Sequence, residues 1–200
     1  MKRLQYMALA ASMLLAAACH KDNITVVDDT TPSGGGVDID DVDNIDTNYD
    51  RTVNVVFAAQ GASVSGTGDS ISAIVSGNDV TLRNLGTEKV CYNVSGSTDD
   101  GFLKIYSGRR QAIVLNGVAI RNRRGAAINV QGSEATPGKG KRVDLVLKGS
   151  STLADGSTYT LTPATEDEKG AVFSEGQIVV SGTGTLGVTA TGKAGLSSDD

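Results

Sequence analysis

Short runs of β-branched and aliphatic residues, broken by Gly, Asn, Asp and Ser, recur through most of this chain. Typical runs span residues 53–57, 80–85 and 143–147. Sustained helical periodicity is absent from the sequence, whereas short apolar runs bounded by turn residues are typical of strands. The pattern predicts an all-β chain, and 25 glycines among 200 residues agree with many tight turns.

The runs also resemble one another at a regular spacing. Residues 145–153 and 178–186 share a glycine at the fifth place and a closing Thr-Leu. Residues 125–129 match 170–174, 45 residues on, and residues 171–174 match 194–197, 23 residues on, so the shorter separation is about half the longer one. A spacing of roughly 22–23 residues suits one coil of a solenoid built from three short strands. We therefore predict a right-handed parallel β-helix. A β-sandwich is the alternative, because its strands also recur at short spacing.

The same alignment makes predictions about individual side chains and about the end of the chain. It places Ile128, Phe173 and Leu196 at one repeat position and predicts that all three point inward. The sequence stops at Asp200, inside a repeat unit. Because an uncovered end coil exposes apolar faces and strand edges, we expect the β-helix to be incomplete at the C-terminus.

The N-terminus is typical of a targeting segment. A positive start is followed by an apolar run over residues 4–18 that is too short to span a bilayer, and Cys19 comes directly after it. This arrangement predicts a lipoprotein-type signal peptide over residues 1–18 and lipidation at Cys19, which would anchor the protein to a membrane. The expected location is the bacterial cell envelope, facing the surface or the periplasm. An ordinary secretory signal is the alternative.

An acidic segment separates this leader from the rest of the chain. Residues 20–50 contain nine aspartates and one lysine, interrupted by Pro, Ser and three glycines. So many like charges with few large apolar groups cannot form a core, so we predict a flexible tether over residues 19–50. The folded domain is then predicted over residues 51–200.

Charge and histidine content exclude several functions. The net charge of −5 argues against nucleic acid as a partner, since phosphate binding needs a basic surface. The one histidine, His20, lies beside the leader. A domain without histidine cannot hold a Ser-His-Asp triad or a His-ligated zinc ion.

Six motifs carry a resemblance to a known family. One is Leu-Asn-Gly-Val-Ala-Ile at residues 115–120, and the others follow in the same order, at residues 125–130, 147–153, 155–159, 168–174 and 182–186. Over roughly residues 80–200 the chain resembles a family of secreted bacterial carbohydrate-binding proteins, related to pectate lyases, with a right-handed parallel β-helix. The resemblance implies binding of cellulose-like or acidic plant polysaccharides, and Ca²⁺ bound to the coils.

The middle of the chain carries the cations that suit an acidic glycan. Cations near one another attract carboxylates, and guanidinium groups grip them with two hydrogen bonds. The alternative is a solvated loop. With Tyr159, an aromatic residue beside a turn that suits a sugar face, the predicted carbohydrate-binding residues are Arg121, Arg123, Arg124, Lys139, Lys141, Arg142 and Tyr159.

Acidic turns are the candidate calcium ligands. Calcium takes six to eight oxygens from carboxylates, carbonyls and water. Stacked turns would bring several carboxylates to one edge, although acidic turns that merely keep the edge soluble explain the composition equally well. The resemblance favours calcium, with the predicted ligands Asp167, Glu168, Glu175, Asp199 and Asp200.

The sequence thus predicts a calcium-dependent polysaccharide-binding surface lipoprotein that is not an enzyme. Two alternatives stay open. One is a surface adhesin or structural lipoprotein. The other is a pectate-lyase-like lyase, whose base would be an arginine such as Arg109, Arg121 or Arg124.

Overall fold

The computed structural model describes residues 48–135, 139–160, 163 and 165–199. These residues form fifteen β-strands and no helix, which confirms the all-β class. The predicted signal peptide, Cys19, the tether up to residue 47 and Asp200 lie outside the described residues.

The strands belong to two sheets. The nine-stranded sheet contains β1 (Arg51–Phe57), β2 (Ser63–Ser65), β5 (Val90–Thr98), β7 (Gln111–Asn116), β8 (Ala119–Arg121), β10 (Val143–Lys148), β11 (Ser150–Ala154), β13 (Ile178–Gly182) and β14 (Thr185–Thr189). The six-stranded sheet contains β3 (Ile71–Ser76), β4 (Asp79–Asn84), β6 (Phe102–Ser107), β9 (Ile128–Gln131), β12 (Gly170–Ser174) and β15 (Ala194–Ser198).

The prediction of a single right-handed parallel β-helix with a constant coil is wrong. The strands form two separate sheets, and β1–β2 and β3–β4 pair antiparallel. Val90 pairs with Gln111, Gln111 with Val143, and Val143 with Ile178, so the chain between paired positions lengthens at each step. Long connections, such as residues 132–142, add residues without changing the paired strands. Most neighbouring strands pair in parallel. Because the sheets of a β-sandwich are antiparallel, this pairing also argues against the β-sandwich.

The core lies between the inner faces of the two sheets. Alternate residues of each strand point inward. Val80 and Leu82 of β4, Leu103 of β6, Tyr92 of β5 and Ile113 of β7 are fully buried there. Each aliphatic side chain of this size contributes about 1.5–3 kcal/mol through burial of its apolar surface.

Phe173 lies on the outer face of the six-stranded sheet, so its predicted inward orientation is wrong. In β12 it is Val172 that pairs with Ile128 and Leu196. Phe173 pairs with Asn129 and, although fully buried, does not belong to the core cluster between the sheets. The sequence match was one residue out of register, and such a slip moves every side chain of a strand to the other face.

Gly96 marks the point where β5 changes partners. Before it, β5 pairs with β1 as far as Phe57; after it, Ser97 pairs with Ala119 of β8. Gly96 has a φ of +85°, and a Cβ there would lie 2.0 Å from the Phe57 carbonyl oxygen. Both the backbone angle and the close approach require glycine.

We expect Gly96→Ala to destabilise the domain by more than the roughly 1–2 kcal/mol of left-handed strain alone, because the main chain of β1 must also move. Gly77→Ala is the matched control, since Gly77 has a φ of +60° and a Cβ added there would meet nothing within 4 Å. Urea unfolding of the two variants measures the difference. Equal losses would contradict the close approach of β1 and β5.

Candidate functional site

A cleft of about 600 Å³ lies along the turns that lead from the six-stranded sheet to the nine-stranded sheet. These turns connect β4 to β5, β6 to β7 and β9 to β10. We call this cleft the basic cleft, because its charged lining residues are four cations and one carboxylate: Arg83, Arg109, Lys139, Lys141 and Glu134. Tyr106 also lines it.

Strand alternation and register place Arg83 and Tyr106 side by side. Val80 and Leu82 point into the core, so Arg83 projects from the outer face of β4. Arg83 pairs with Tyr106 of β6, and its guanidinium carbon lies 5.0 Å from the centroid of the Tyr106 ring. Arg83 Nε donates to Glu134 Oε1 at 2.8 Å. Arg83 Nη1 is buried and has no hydrogen-bond partner among the described residues.

Tyr106 is held in place by Glu166. The Tyr106 hydroxyl donates to Glu166 Oε1 at 2.6 Å, and the Lys104 ammonium bonds the other carboxylate oxygen. Burial, together with the hydrogen bond to this carboxylate, raises the pKa of Tyr106 above its ordinary value. The tyrosine therefore stays protonated, and its ring lies beside two cations, Arg83 and Lys104, whose guanidinium carbon and ammonium nitrogen are 5.0 and 5.2 Å from the ring centroid.

A second pocket of about 280 Å³ adjoins the basic cleft. The two share Tyr106, Ser133 and Glu134 as a common wall, and the second pocket is lined by Glu166 and Glu175 as well. Cations therefore dominate one compartment and carboxylates the other. An elongated ligand that lies over both compartments would find hydrogen-bond donors for anionic groups in the basic cleft. In the second pocket it would find carboxylate acceptors for hydroxyl groups.

Three cations of the basic cleft are available to a ligand. Arg109, Lys139 and Lys141 are exposed, and within the part of the chain that the structure describes none of them has an ion-pair or hydrogen-bond partner for its side chain. Neighbouring cations with one carboxylate among them produce a positive local potential in a chain that is negative overall. The arrangement suits a carboxylate, to which Arg109 can donate two parallel hydrogen bonds.

The structure divides the sequence-predicted cations among different places. Lys139 and Lys141 line the basic cleft, whereas Arg121 is exposed on β8. Arg124 binds both oxygens of Asp79, at 3.0 and 2.7 Å. Arg123 Nε donates to the carbonyl of Asp99 at 3.2 Å.

Arg142, the remaining predicted cation, belongs to a buried cluster around Asp144. The Asp144 carboxylate is fully buried and accepts from Arg142 Nε at 2.8 Å, Arg110 Nε at 2.9 Å and the Tyr49 hydroxyl at 2.8 Å. Burial, and to a smaller extent the hydrogen bond that its hydroxyl donates to Asp144, raises the pKa of Tyr49 above its ordinary value. Lys141 and Arg109 precede Arg142 and Arg110 in sequence, so this cluster fixes the main chain at two places on the rim of the basic cleft.

The four described calcium candidates do not form one ligand set. Glu168 accepts from the Ala126 N–H at 2.9 Å, and Glu175 accepts from the Gly132 N–H at 2.7 Å. Lys169 lies 3.3 Å from Asp167 and 2.7 Å from Asp199, and thus brings these two together as ion pairs. Among residues 48–135, 139–160, 163 and 165–199, no three His, Cys, Asp or Glu side chains are grouped as metal ligands. Calcium binding stays a prediction from the family resemblance.

Tyr159 is anchored to its own loop. Its hydroxyl donates to Asp155 Oδ2 at 2.9 Å, and the Lys193 ammonium lies 4.4 Å from the ring centroid. Asp155 also accepts from the N–H groups of Thr191 and Gly192 at 2.6 and 3.1 Å. Burial alone would raise the pKa of Asp155, but these donors and Tyr159 together hold it below its ordinary value. Sugar binding by Tyr159 remains a prediction.

We expect Asp155→Asn to destabilise the domain by about 1–3 kcal/mol at pH 7, since the charged acceptor of several buried donors is lost. Because the pKa of Asp155 is lowered on folding, its stabilising contribution is present above the unfolded pKa of about 3.9 and disappears as the pH falls through the folded value. The difference from wild type should therefore shrink below about pH 4. Urea unfolding across pH measures it, with Asp99→Asn, at an exposed position, as the control. A difference independent of pH would contradict this role.

Comparison with known proteins agrees with a carbohydrate-binding role. The model of the carbohydrate-binding domain-containing protein family matches residues 76–200, and the chain belongs to that family. This confirms the carbohydrate-binding part of the sequence-based resemblance.

A solved structure is similar over much of the chain. It is described as the polysaccharide lyase-like protein from C. thermocellum, in a gadolinium derivative, with 25% identity and a TM-score of 0.54. The match covers 70% of this chain and 53% of that one, so the matched region spans about half the length of that protein. Among curated proteins none matches. In the described part of this chain, no helix is long and apolar enough to cross a membrane.

Proposed function

We propose that this domain binds an acidic polysaccharide, such as polygalacturonate, in the basic cleft. The observation that carries the proposal is the juxtaposition of Arg109, Lys139 and Lys141, exposed and without partners among the described residues, with Tyr106. Membership of the carbohydrate-binding family supports a polysaccharide ligand. The charge of the cleft favours one that carries carboxylates.

Each part of the site has a chemical role in this proposal. Arg109 donates two hydrogen bonds to a uronate carboxylate, and Lys139 and Lys141 supply point charges for neighbouring carboxylates. The Tyr106 ring offers an apolar surface at the shared wall. Beyond it, Glu166 and Glu175 accept hydrogen bonds from sugar hydroxyls. Because contacts with exposed charges are individually weak, affinity arises from a polymer that engages several of them at once.

We propose binding without cleavage. Of the three arginines considered as bases, Arg124 is bound to Asp79 and Arg121 lies on β8, outside the cleft lining. Arg109 does line the cleft, and the similar solved structure is described as polysaccharide lyase-like, so turnover is tested directly. Appearance of unsaturated uronate ends on incubation with the domain would favour the lyase instead.

The binding test is affinity electrophoresis in gels that contain polygalacturonate. We expect Lys139→Ala/Lys141→Ala to lower the affinity roughly tenfold, because each exposed charge contact is worth about 0.2–1 kcal/mol. Both side chains are exposed, so the double variant should keep wild-type stability. Retardation by polygalacturonate should exceed retardation by a neutral soluble cellulose derivative.

Arg121→Ala/Lys148→Ala is the matched control, because it also removes two positive charges, but from exposed positions outside the basic cleft. This control should bind like wild type. If both double variants lose affinity equally, net charge rather than the cleft is responsible. Absence of retardation in every gel would contradict the binding of an acidic polysaccharide and would favour the adhesin or structural role.

Calcium dependence is a separate proposal that rests on the family resemblance. The same gels run with calcium and with a chelator test it. Retardation that the chelator abolishes would support a bridging ion, whereas unchanged retardation would indicate that the cations of the cleft suffice.

The lipid anchor and the envelope location are likewise proposals, since Cys19 lies outside the described residues. They are supported by the leader-like sequence that precedes it. Detergent partitioning of wild type and Cys19→Ser tests them, and the variant should leave the detergent phase. Partitioning of both proteins into the aqueous phase would favour an ordinary secretory signal.

A further inference from the structure

We propose that Arg83 is a further ligand-binding residue of the basic cleft, and that Glu134 is its internal counter-ion, which a carboxylate of the ligand displaces. This inference rests on the proposed function and adds how the site selects carboxylates over neutral sugars. The exchange of one carboxylate for another on Arg83 can also be tested without any polysaccharide, with a small anion as the probe.

The first argument is that Glu134 is weakly held. Arg83 Nε donates to Glu134 Oε1 at 2.8 Å, whereas Arg83 Nη2 is not buried and has no hydrogen-bond partner among the described residues. The Glu134 side chain is 56% exposed. A single hydrogen bond in an exposed ion pair contributes little, whereas a carboxylate that bonds Nε and Nη2 together forms the stronger bidentate pair. A ligand carboxylate can therefore replace Glu134.

Two other arginine–carboxylate pairs of this chain show how a firmly held carboxylate differs. Arg51 donates from Nε and Nη2 to the two oxygens of Glu88, both at 2.8 Å. Arg124 donates to the two oxygens of Asp79, at 3.0 and 2.7 Å. The side chains of Glu88 and Asp79 are 29% and 26% exposed, about half the value for Glu134. Glu134 thus has fewer bonds and more contact with water than either.

The second argument is that the position of Arg83 does not depend on Glu134. The backbone of Arg83 pairs with that of Tyr106, and the guanidinium carbon lies over the Tyr106 ring, 5.0 Å from its centroid. The Tyr106 hydroxyl is held by Glu166, and Arg83 Nη1 is buried. The guanidinium is therefore already in place when Glu134 leaves, so little freedom is lost when a ligand binds it.

The third argument is the place of Glu134 in the cleft. Among the described lining residues of the basic cleft, Glu134 is the one carboxylate, and it also lines the second pocket. It therefore stands on the wall that a ligand must cross to occupy both compartments. A ligand carboxylate at this wall meets the Glu134 carboxylate as a like charge and the Arg83 guanidinium as an opposite one, and both effects favour the exchange.

The consequence is selectivity for charged sugars. The hydroxyl groups of a neutral glycan bond a guanidinium less strongly than a carboxylate does. Glu134 therefore stays on Arg83 in the presence of a neutral glycan and keeps the shared wall closed to it. A polyuronate supplies the replacing carboxylate itself and gains Arg83 as an additional contact.

The exchange is tested by following the Arg83 Nε–H signal in ¹⁵N NMR spectra of the full chain during titration with citrate at constant ionic strength. Loss of the signal in Arg83→Gln assigns it. Citrate should shift this signal in wild type, and should do so at a roughly fivefold lower concentration in Glu134→Gln, because no counter-ion has to leave. The Nε–H signal of Arg51, whose carboxylate is held by two bonds, is the matched control and should not move. An Arg83 signal that citrate leaves unmoved, or moves no more than that of Arg51, would overturn the exchange.

The role in glycan binding is tested by affinity electrophoresis in polygalacturonate gels. Glu134→Gln should raise the affinity roughly fivefold, about the most that an exposed ion pair is worth. It should give no gain in gels of fully methyl-esterified polygalacturonate, which has no carboxylate to offer. Asp99→Asn removes the same charge from an exposed position outside both compartments and should raise the affinity less. Equal gains in the two variants, or a loss of affinity in Glu134→Gln, would contradict the inference.

Arg83→Gln separates exchange on the guanidinium from simple repulsion by Glu134. In the Glu134→Gln background, Arg83→Gln should lower the affinity for polygalacturonate roughly tenfold, because a charged hydrogen-bond donor to the ligand is lost. In the Arg83→Gln background, Glu134→Gln should then raise the affinity less than about twofold, since no ion pair is left to open. An equal gain from Glu134→Gln with and without Arg83 would show repulsion alone and would overturn the role of Arg83.

The inference and the proposed function fail in distinguishable ways. A citrate-induced shift of the Arg83 signal in a protein that polygalacturonate does not retard, with either residue at position 134, would overturn the proposed function and leave the exchange on Arg83 standing. Retardation that Lys139→Ala/Lys141→Ala weakens but Glu134→Gln leaves unchanged would overturn the inference and leave the proposed function standing.

Discussion

Main-chain hydrogen bonding between parallel strands is the constraint on which the rest of this structure depends. Once β4, β6 and β9 pair in register, alternation decides which side chains enter the core and which form a row on the outer face. Arg83 and Tyr106 are neighbours because their backbones pair, although they are far apart in sequence. The turns that end these strands lie at one edge for the same reason, and the basic cleft follows that edge.

A buried carboxylate then ties this edge together. Asp144 would be costly without partners, and Arg110, Arg142 and Tyr49 supply them from three different parts of the chain. The site is therefore built in two layers. Paired cations hold the turns in place, and the residues next to them in sequence, Arg109 and Lys141, present their charges to solvent.

Residue type alone could not separate these two layers. The sequence correctly indicates a basic region between residues 121 and 148, and Lys139 and Lys141 from it line the cleft. It could not show that Arg124 and Arg142 are neutralised by Asp79 and Asp144, because those pairs depend on how separate strands meet. Arg83 and Tyr106 carry no local signal of a site. Only the pairing of β4 with β6, which brings them beside Lys139, could reveal them.

By itself, the sequence determined the all-β class, the acidic N-terminal segment and membership of a carbohydrate-binding family. These depend on local composition and on motifs that survive in short stretches. The tertiary structure alone decided the division into two sheets, the outward position of Phe173 and the assembly of the cleft. Each of these is set by strand register over long separations in sequence, and a shift of one residue reverses every side chain while leaving the local pattern almost unchanged.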